Sequence, residues 1–326
     1  MGSLWTVAVT REIPDAGLRP LQETSEIKLW DQELPPSPEE LDGLLDGCDG
    51  AITLLTDRID GPVLDRHPGL RVISNFAVGY DNIDVPAASE RGVLVCNTPE
   101  VLTNATADHT WALLLAAARR IPESIAYVRD GKWKTWGPLL LLGRDVSGAT
   151  IGIVGLGRIG KEVAKRARGF DMRVLAFDPF EDAAFAKEHG ITYVPLEQLV
   201  AESDFVTLHV ALTDETHHLI GATELSRMKP TAILVNASRG QVVDTAALVD
   251  ALRSGSILGA ALDVTDPEPL SADHPLVNMT SCIVVPHTAS ATVQTRDRMA
   301  ELAAKNLLAG LSGERPPAAV NADEVM

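Results

Sequence analysis

The sequence is short of cysteine, of positive charge and of long apolar runs, and each shortage excludes something. Its 326 residues contain three cysteines, Cys48, Cys96 and Cys282. They are too few and too scattered for a disulfide framework or a zinc-type spacing. A reducing, cytoplasmic setting is the natural reading, and no metal site is expected. Lys and Arg number 28 against 45 Asp and Glu, a formal net charge of −17. Nucleic acid and anionic membranes require a basic footprint, so neither is an expected partner. A small anion is not excluded, because one patch of N–H groups or one arginine is enough to hold it. No apolar run reaches the ~18 residues of a membrane span. The N-terminus lacks a signal peptide's basic start and cleavage site. "MGSLWT" matches a myristoylation pattern at Gly2 in form only, since the strand-like "WTVAVT" begins at once.

What is present is alternation. Strand-like runs at 6–10, 26–30, 50–55, 70–76 and 92–97 are separated by helical or turn segments. A long helix is expected from about Asn104 to Ala126. A second series follows at 150–155, 173–178, 191–195, 205–210, 232–238, 259–264 and 282–287, and a last helix closes the chain. This pattern predicts α/β architecture with two doubly wound parallel-sheet domains.

"IGIVGLGRIG" carries Gly155, Gly157 and Gly160 in G-x-G-x-x-G spacing, after a strand and at the start of a helix. In that context Gly155 makes the tight turn and Gly157 lets backbone approach a pyrophosphate. Gly160 allows close helix–strand packing. The next strand ends in Asp178, 18 residues after Gly160. A carboxylate there accepts hydrogen bonds from a ribose hydroxyl and repels a 2′-phosphate. NAD is therefore expected in preference to NADP.

Three later strand ends carry Arg239, then Asp263 and Glu268, then His287 and Ser290. An arginine can clamp a carboxylate with two parallel N–H bonds. An imidazole can pass a proton, and a glutamate beside it steadies the imidazolium and its orientation. Beside a nicotinamide, this set suits hydride transfer to the carbonyl of a 2-oxo acid.

The same residues carry a resemblance. "NFAVGYDNID" (75–84), "NTPEVLTNATAD" (97–108), "GIVGLGRIG" (152–160), "NASRGQVVDTAAL" (236–248), "LDVTDPEPL" (262–270) and "PHTASAT" (286–292) resemble the D-2-hydroxyacid dehydrogenases. The glyoxylate/hydroxypyruvate reductase branch is the most similar. The resemblance implies a flavodoxin-like, discontinuous substrate domain (1–102 and 291–326) and a Rossmann NAD-binding domain (103–290), with the active site in the cleft between them. It implies that Arg239 binds the substrate carboxylate and carbonyl, that His287 donates the proton and that Glu268 is its partner. Asp263 would hold the nicotinamide carboxamide. Thr106, Arg158, Ile159, Ala237 and Ser238 would add cofactor contacts. The N–H groups of Val78 and Gly79 would bind the carboxylate, and Ser290 would line the pocket. It also implies a homodimer, in which Trp136, near the leucine run 139–142, would reach the neighbour's active site.

Ala211, Thr265 and Asp266 stand where the family often has proline, an aromatic and glutamate. Asp178 stands where NADPH-using members of the branch have a small residue followed by arginine. D-3-phosphoglycerate and D-lactate-type dehydrogenases of the same family remain alternatives. So does a dinucleotide-sensing co-repressor built on the same fold.

Overall fold

The structure is a computed structural model that describes residues 5–326, so Gly2 lies outside the described residues. The chain divides into two compact units. One comprises the chain through Leu102 together with Ala291–Met326, and the other is Thr103–Ser290.

In the first unit, β1 (Trp5–Val9), β2 (Ser25–Leu29), β3 (Gly50–Thr53), β4 (Val72–Asn75) and β5 (Leu94–Cys96) form a parallel sheet in the order β2-β1-β3-β4-β5. This is the flavodoxin-like order. β3 and β4 are buried along their whole length, as a parallel sheet covered on both faces requires. One layer of core is Ala8, Leu45, Ile73 and Val95. The other face is covered by the last helix, Val293–Leu311, which returns to this unit. A methyl group on Gly17 would lie 2.6 Å from the Ala300 carbonyl oxygen, so helix Asp15–Gln22 meets the last helix backbone to backbone. Ser74 Oγ donates to the Ala303 carbonyl at 2.9 Å and ties the same helix to β4.

In the second unit, β6 (Thr150–Val154), β7 (Arg173–Phe177), β8 (Ile191–Tyr193), β9 (Phe205–Leu208), β10 (Ile233–Asn236), β11 (Gly259–Leu262) and β12 (Cys282–Val284) form a parallel sheet in the order β12-β11-β10-β9-β6-β7-β8. The chain runs outward from β6 to β8, then crosses back to β9 and continues outward to β12. The order therefore reverses between β6 and β9, where ligands of open α/β sheets bind at the carboxyl ends. Leu175, Leu208, Leu234 and Leu252 fill one face of this sheet. Ile153, Val163, Phe205 and Val235 fill the other.

Two expectations need correction. The helix expected over 104–126 is two helices, Thr103–Ala118 and Ile121–Arg129, with Arg120 left-handed at φ 52° between them. Pro122 lacks an N–H, and in an unbroken helix its ring would clash with the carbonyl four residues back, that of Ala118. That carbonyl instead accepts the N–H of Arg144 at 2.8 Å. The strand expected over 282–287 stops at Val284. Pro286 cannot continue a ladder, and His287 turns at φ 53° with its N–H on the Asp263 carbonyl at 2.8 Å.

Candidate active site

The glycine loop sits at the reversal point, between β6 and helix Arg158–Ala167. Its three glycines do different jobs. Gly155 turns at φ 92°, and a methyl there would meet the His209 carbonyl at 2.8 Å. A methyl on Gly160 would lie 2.1 Å from the Gly155 carbonyl oxygen. These two are required by the fold itself. Around Gly157 the structure has nothing within 4 Å of an added methyl. Its bareness serves no packing contact, which fits close approach by a ligand to this backbone.

Gly157 caps the helix without a side-chain bond, and Arg158, Ile159 and Gly160 make the first helical turn. Their N–H groups precede the first intrahelical bond, from Lys161 N–H to the Gly157 carbonyl at 2.9 Å. A helix N-terminus of this kind favours an anion. Arg158 is exposed, whereas Ile159 is half-buried and packs on the core. Asp178 follows β7 and accepts from the Leu156 N–H at 2.7 Å and the Phe180 N–H at 2.8 Å. It thus braces the loop while remaining half-exposed. Lys161 is held by Asp182 at 2.6 Å.

Beyond β10, β11 and β12 three further loops converge. His287 Nδ1 lies 2.7 Å from Glu268 Oε1, and the second Glu268 oxygen accepts from the Thr265 N–H at 3.2 Å. Burial alone would raise the Glu268 carboxyl. The bond to His287, the Thr265 N–H and the charge of Arg239 outweigh it and hold the group below the usual carboxylate range. Arg239 is extended, and its Nη1 donates to the Ser238 carbonyl at 2.9 Å. Ala237 and Ser238 are half-buried beside it. Asn236 Nδ2 donates to the Arg239 carbonyl at 2.8 Å, and Asn236 Oδ1 accepts from Ser238 Oγ at the same distance.

Asp263 is anchored within its own unit. Its side chain is fully buried, with one oxygen on the Thr288 N–H at 2.7 Å and the other on the Ala289 N–H at 2.9 Å. His109 Nε2 lies 3.1 Å from the first oxygen. Burial pushes this carboxyl up, yet His109 and the two N–H groups keep it lowered overall. Asp263 therefore braces the turn that carries His287. Thr106 is likewise buried, inside helix Thr103–Ala118. Ser290 is half-buried at the end of this unit, and Trp136 is 79% exposed. Val78 and Gly79 belong to the other unit, in the turn after β4.

Four residues escape a reading of the sequence alone. Gly240 is one, since a methyl there would lie 1.9 Å from the Thr265 carbonyl oxygen. This backbone contact fixes the arginine loop against the glutamate loop. Asn236 and His109 brace neighbouring loops. His209 is the fourth, with both ring nitrogens buried and burial pushing its imidazole down to about 3. Only Gly240, directly after Arg239, carries any local signal. Among the described residues there is no cluster fit to hold a metal ion, and no helix long and apolar enough to cross a membrane.

Comparison with known proteins agrees with this geometry. Residues 111–289 match the model of the D-isomer specific 2-hydroxyacid dehydrogenase NAD-binding domain. The chain is 54% identical over 320 residues to a glyoxylate reductase of Korarchaeum cryptofilum, covering 98% of this chain and 96% of that one. A crystal structure of a Thermus thermophilus protein superposes with a TM-score of 0.92 at 49% identity, covering 97% of this chain and 99% of that one. An NADPH-dependent glyoxylate/hydroxypyruvate reductase from Sinorhizobium meliloti, in complex with NADP and malonate, gives 0.84 at 32% identity, covering 99% and 98%. The chain is an oxidoreductase with an NAD-binding domain, and it belongs to the D-isomer-specific 2-hydroxyacid dehydrogenase family.

Proposed function

We propose that the protein reduces glyoxylate or hydroxypyruvate to the corresponding 2-hydroxy acid, with NADH preferred over NADPH. The observation that carries this reading is the 2.7 Å pair of His287 and Glu268, in the same unit as the glycine loop. Arg239 clamps the substrate carboxylate and polarises the carbonyl. In the first unit the N–H groups of Val78 and Gly79 bind a carboxylate, and in the second Ser290 contacts substrate. His287 holds the proton for the carbonyl oxygen, and Glu268 keeps the ring turned toward its task. A nicotinamide dinucleotide, when bound, supplies the hydride. The helix N-terminus at Arg158–Gly160 would hold its pyrophosphate, and Asp178 would accept from its ribose hydroxyls.

Cofactor preference is supported by charge. Asp178, Glu181 and Asp182 crowd the end of β7, and Lys161 is already paired with Asp182. A 2′-phosphate there would meet carboxylates. The protein is further proposed to work in the cytoplasm as a homodimer. Ile121, Val128, Trp133, Leu139 and Leu142 are all exposed, and an apolar surface of that kind on a monomer favours association. Trp136 in the same segment serves the partner copy's site.

The test is NADH oxidation at 340 nm with glyoxylate, hydroxypyruvate and pyruvate. Turnover of the first two supports the reading, and no absorbance change with any 2-oxo acid overturns it. His287→Ala should lower kcat by about 10²–10⁴-fold while NADH still binds. Asp178→Ala should relax discrimination against NADPH.

A further inference from the structure

In the turn after β4, three successive carbonyl groups are each held by a different donor. Ala77 O accepts from the Thr98 N–H at 2.7 Å, and Val78 O accepts from Asn97 Nδ2 at 2.8 Å. Gly79 O accepts from Asn75 Nδ2 at 2.9 Å. In a planar trans peptide the N–H points opposite to the C=O of the same peptide group. Holding these three carbonyls therefore aims the N–H groups of Val78, Gly79 and Tyr80 away from their clamps. None of the three has an acceptor among the described residues.

The clamps are themselves held. Asn75 is fully buried, and its Oδ1 accepts from Thr53 Oγ1 at 3.0 Å. Its Nδ2 also meets Asn82 Oδ1 at 3.1 Å, and Asn82 Nδ2 reaches the Asp57 carbonyl at 2.8 Å. The Asn97 carbonyl accepts from Asn306 Nδ2 at 2.9 Å, and Asn306 is fully buried in the last helix. Asn75 is thus held through its side chain, and Asn97 through its backbone.

We infer that Asn75 and Asn97 are positioning residues that preorganise this turn as a carboxylate-binding site, with the Tyr80 N–H as a third donor beside those of Val78 and Gly79. The inference rests on the proposed function, which makes the ligand a 2-oxo acid. A turn whose N–H groups already converge on an anion needs no reorganisation when the anion binds. Without the clamps the same peptides rotate freely, and the anion must order them.

The test is Asn97→Asp, which keeps the size of the side chain and removes its donor, with Asn97→Ala beside it. Both change a half-buried position, whereas Asn75→Ala empties a core site and is the harsher variant. For Asn97→Asp the KM for glyoxylate should rise about tenfold or more, the loss of roughly one hydrogen bond to a charged group. The inhibition constant of oxalate should rise in parallel. Meanwhile kcat should stay within about twofold, and the NADH dissociation constant should not change. An unchanged KM overturns the inference. So does a variant in which KM, kcat and NADH affinity all move together, because that is general structural damage. If the parent protein reduces no 2-oxo acid, the functional reading fails. Calorimetric titration of oxalate into parent and Asn97→Asp, each with NADH, then decides the turn. Weaker binding to the variant supports it, and equal binding or none overturns it.

Discussion

Two turns in this protein, both proposed to hold anions, are built by opposite means. The glycine loop of the second unit works by omission. Gly155 and Gly160 remove atoms that would collide with backbone, and Gly157 leaves open space at a helix N-terminus. The turn after β4 in the first unit works by restraint. It has one glycine, and its peptide planes are set by the amides of Asn75 and Asn97 and the N–H of Thr98. The difference teaches where mutational sensitivity lies. A turn built by omission fails when atoms are added at the turn. A turn built by restraint fails when atoms are removed from its neighbours.

The largest expected effect comes from adding atoms where the first device has no room. Gly160→Val places its Cβ 2.1 Å from the Gly155 carbonyl oxygen. It should cost roughly 2–4 kcal/mol and abolish NADH binding. Thermal melts and fluorescence titration measure both, and a parental Tm would remove the steric argument.

Asp263→Asn tests whether restraint also governs the second unit, since Asp263 holds two backbone N–H groups of the His287 turn. An amide nitrogen would face one of those donors, at a cost of about 2–3 kcal/mol near neutral pH. The sign of the pH dependence is fixed. The Asp263 carboxyl is lowered from its ordinary value of 3.8, so its contribution is complete above that value and is lost as pH falls through the lower folded value. The stability gap between parent and variant should therefore hold from neutrality to about pH 5 and close in stronger acid. A gap that widens in acid would contradict the bracing role.

Gly157→Ala should have the smallest effect on the fold and a selective one on binding. Nothing lies within 4 Å of the added methyl and φ is −71°, so stability should change by less than about 1 kcal/mol. NADH should bind at least about tenfold more weakly, the effect of roughly 1.4 kcal/mol. Equal loss of stability and affinity would erase the distinction between Gly157 and Gly160.

Much of this was legible in the sequence for local reasons. Alternating strand-like and helix-like runs announced both parallel sheets, and the spacing of Gly155, Gly157 and Gly160 announced the loop. Arg239, Glu268 and His287 stood out because each follows a strand of the second series. The helix break at Arg120 was also written locally, in Pro122. Asn236 and His109 were not legible, and Gly240 only as the neighbour of Arg239. Each acts through a partner whose nearness is created by the sheet, as Gly240 does against the Thr265 carbonyl.

The sequence by itself determined the strand and helix succession, the glycine loop and the residue types needed for proton and anion handling. These depend on neighbours along the chain, through periodicity, propensity and turn chemistry. Only the tertiary structure decided that Asp263 braces the His287 turn, and that Asn75 and Asn97 converge on one turn. Hydrogen bonds between distant segments have no sequence signature, because their geometry exists only once the strands are aligned and the helices packed.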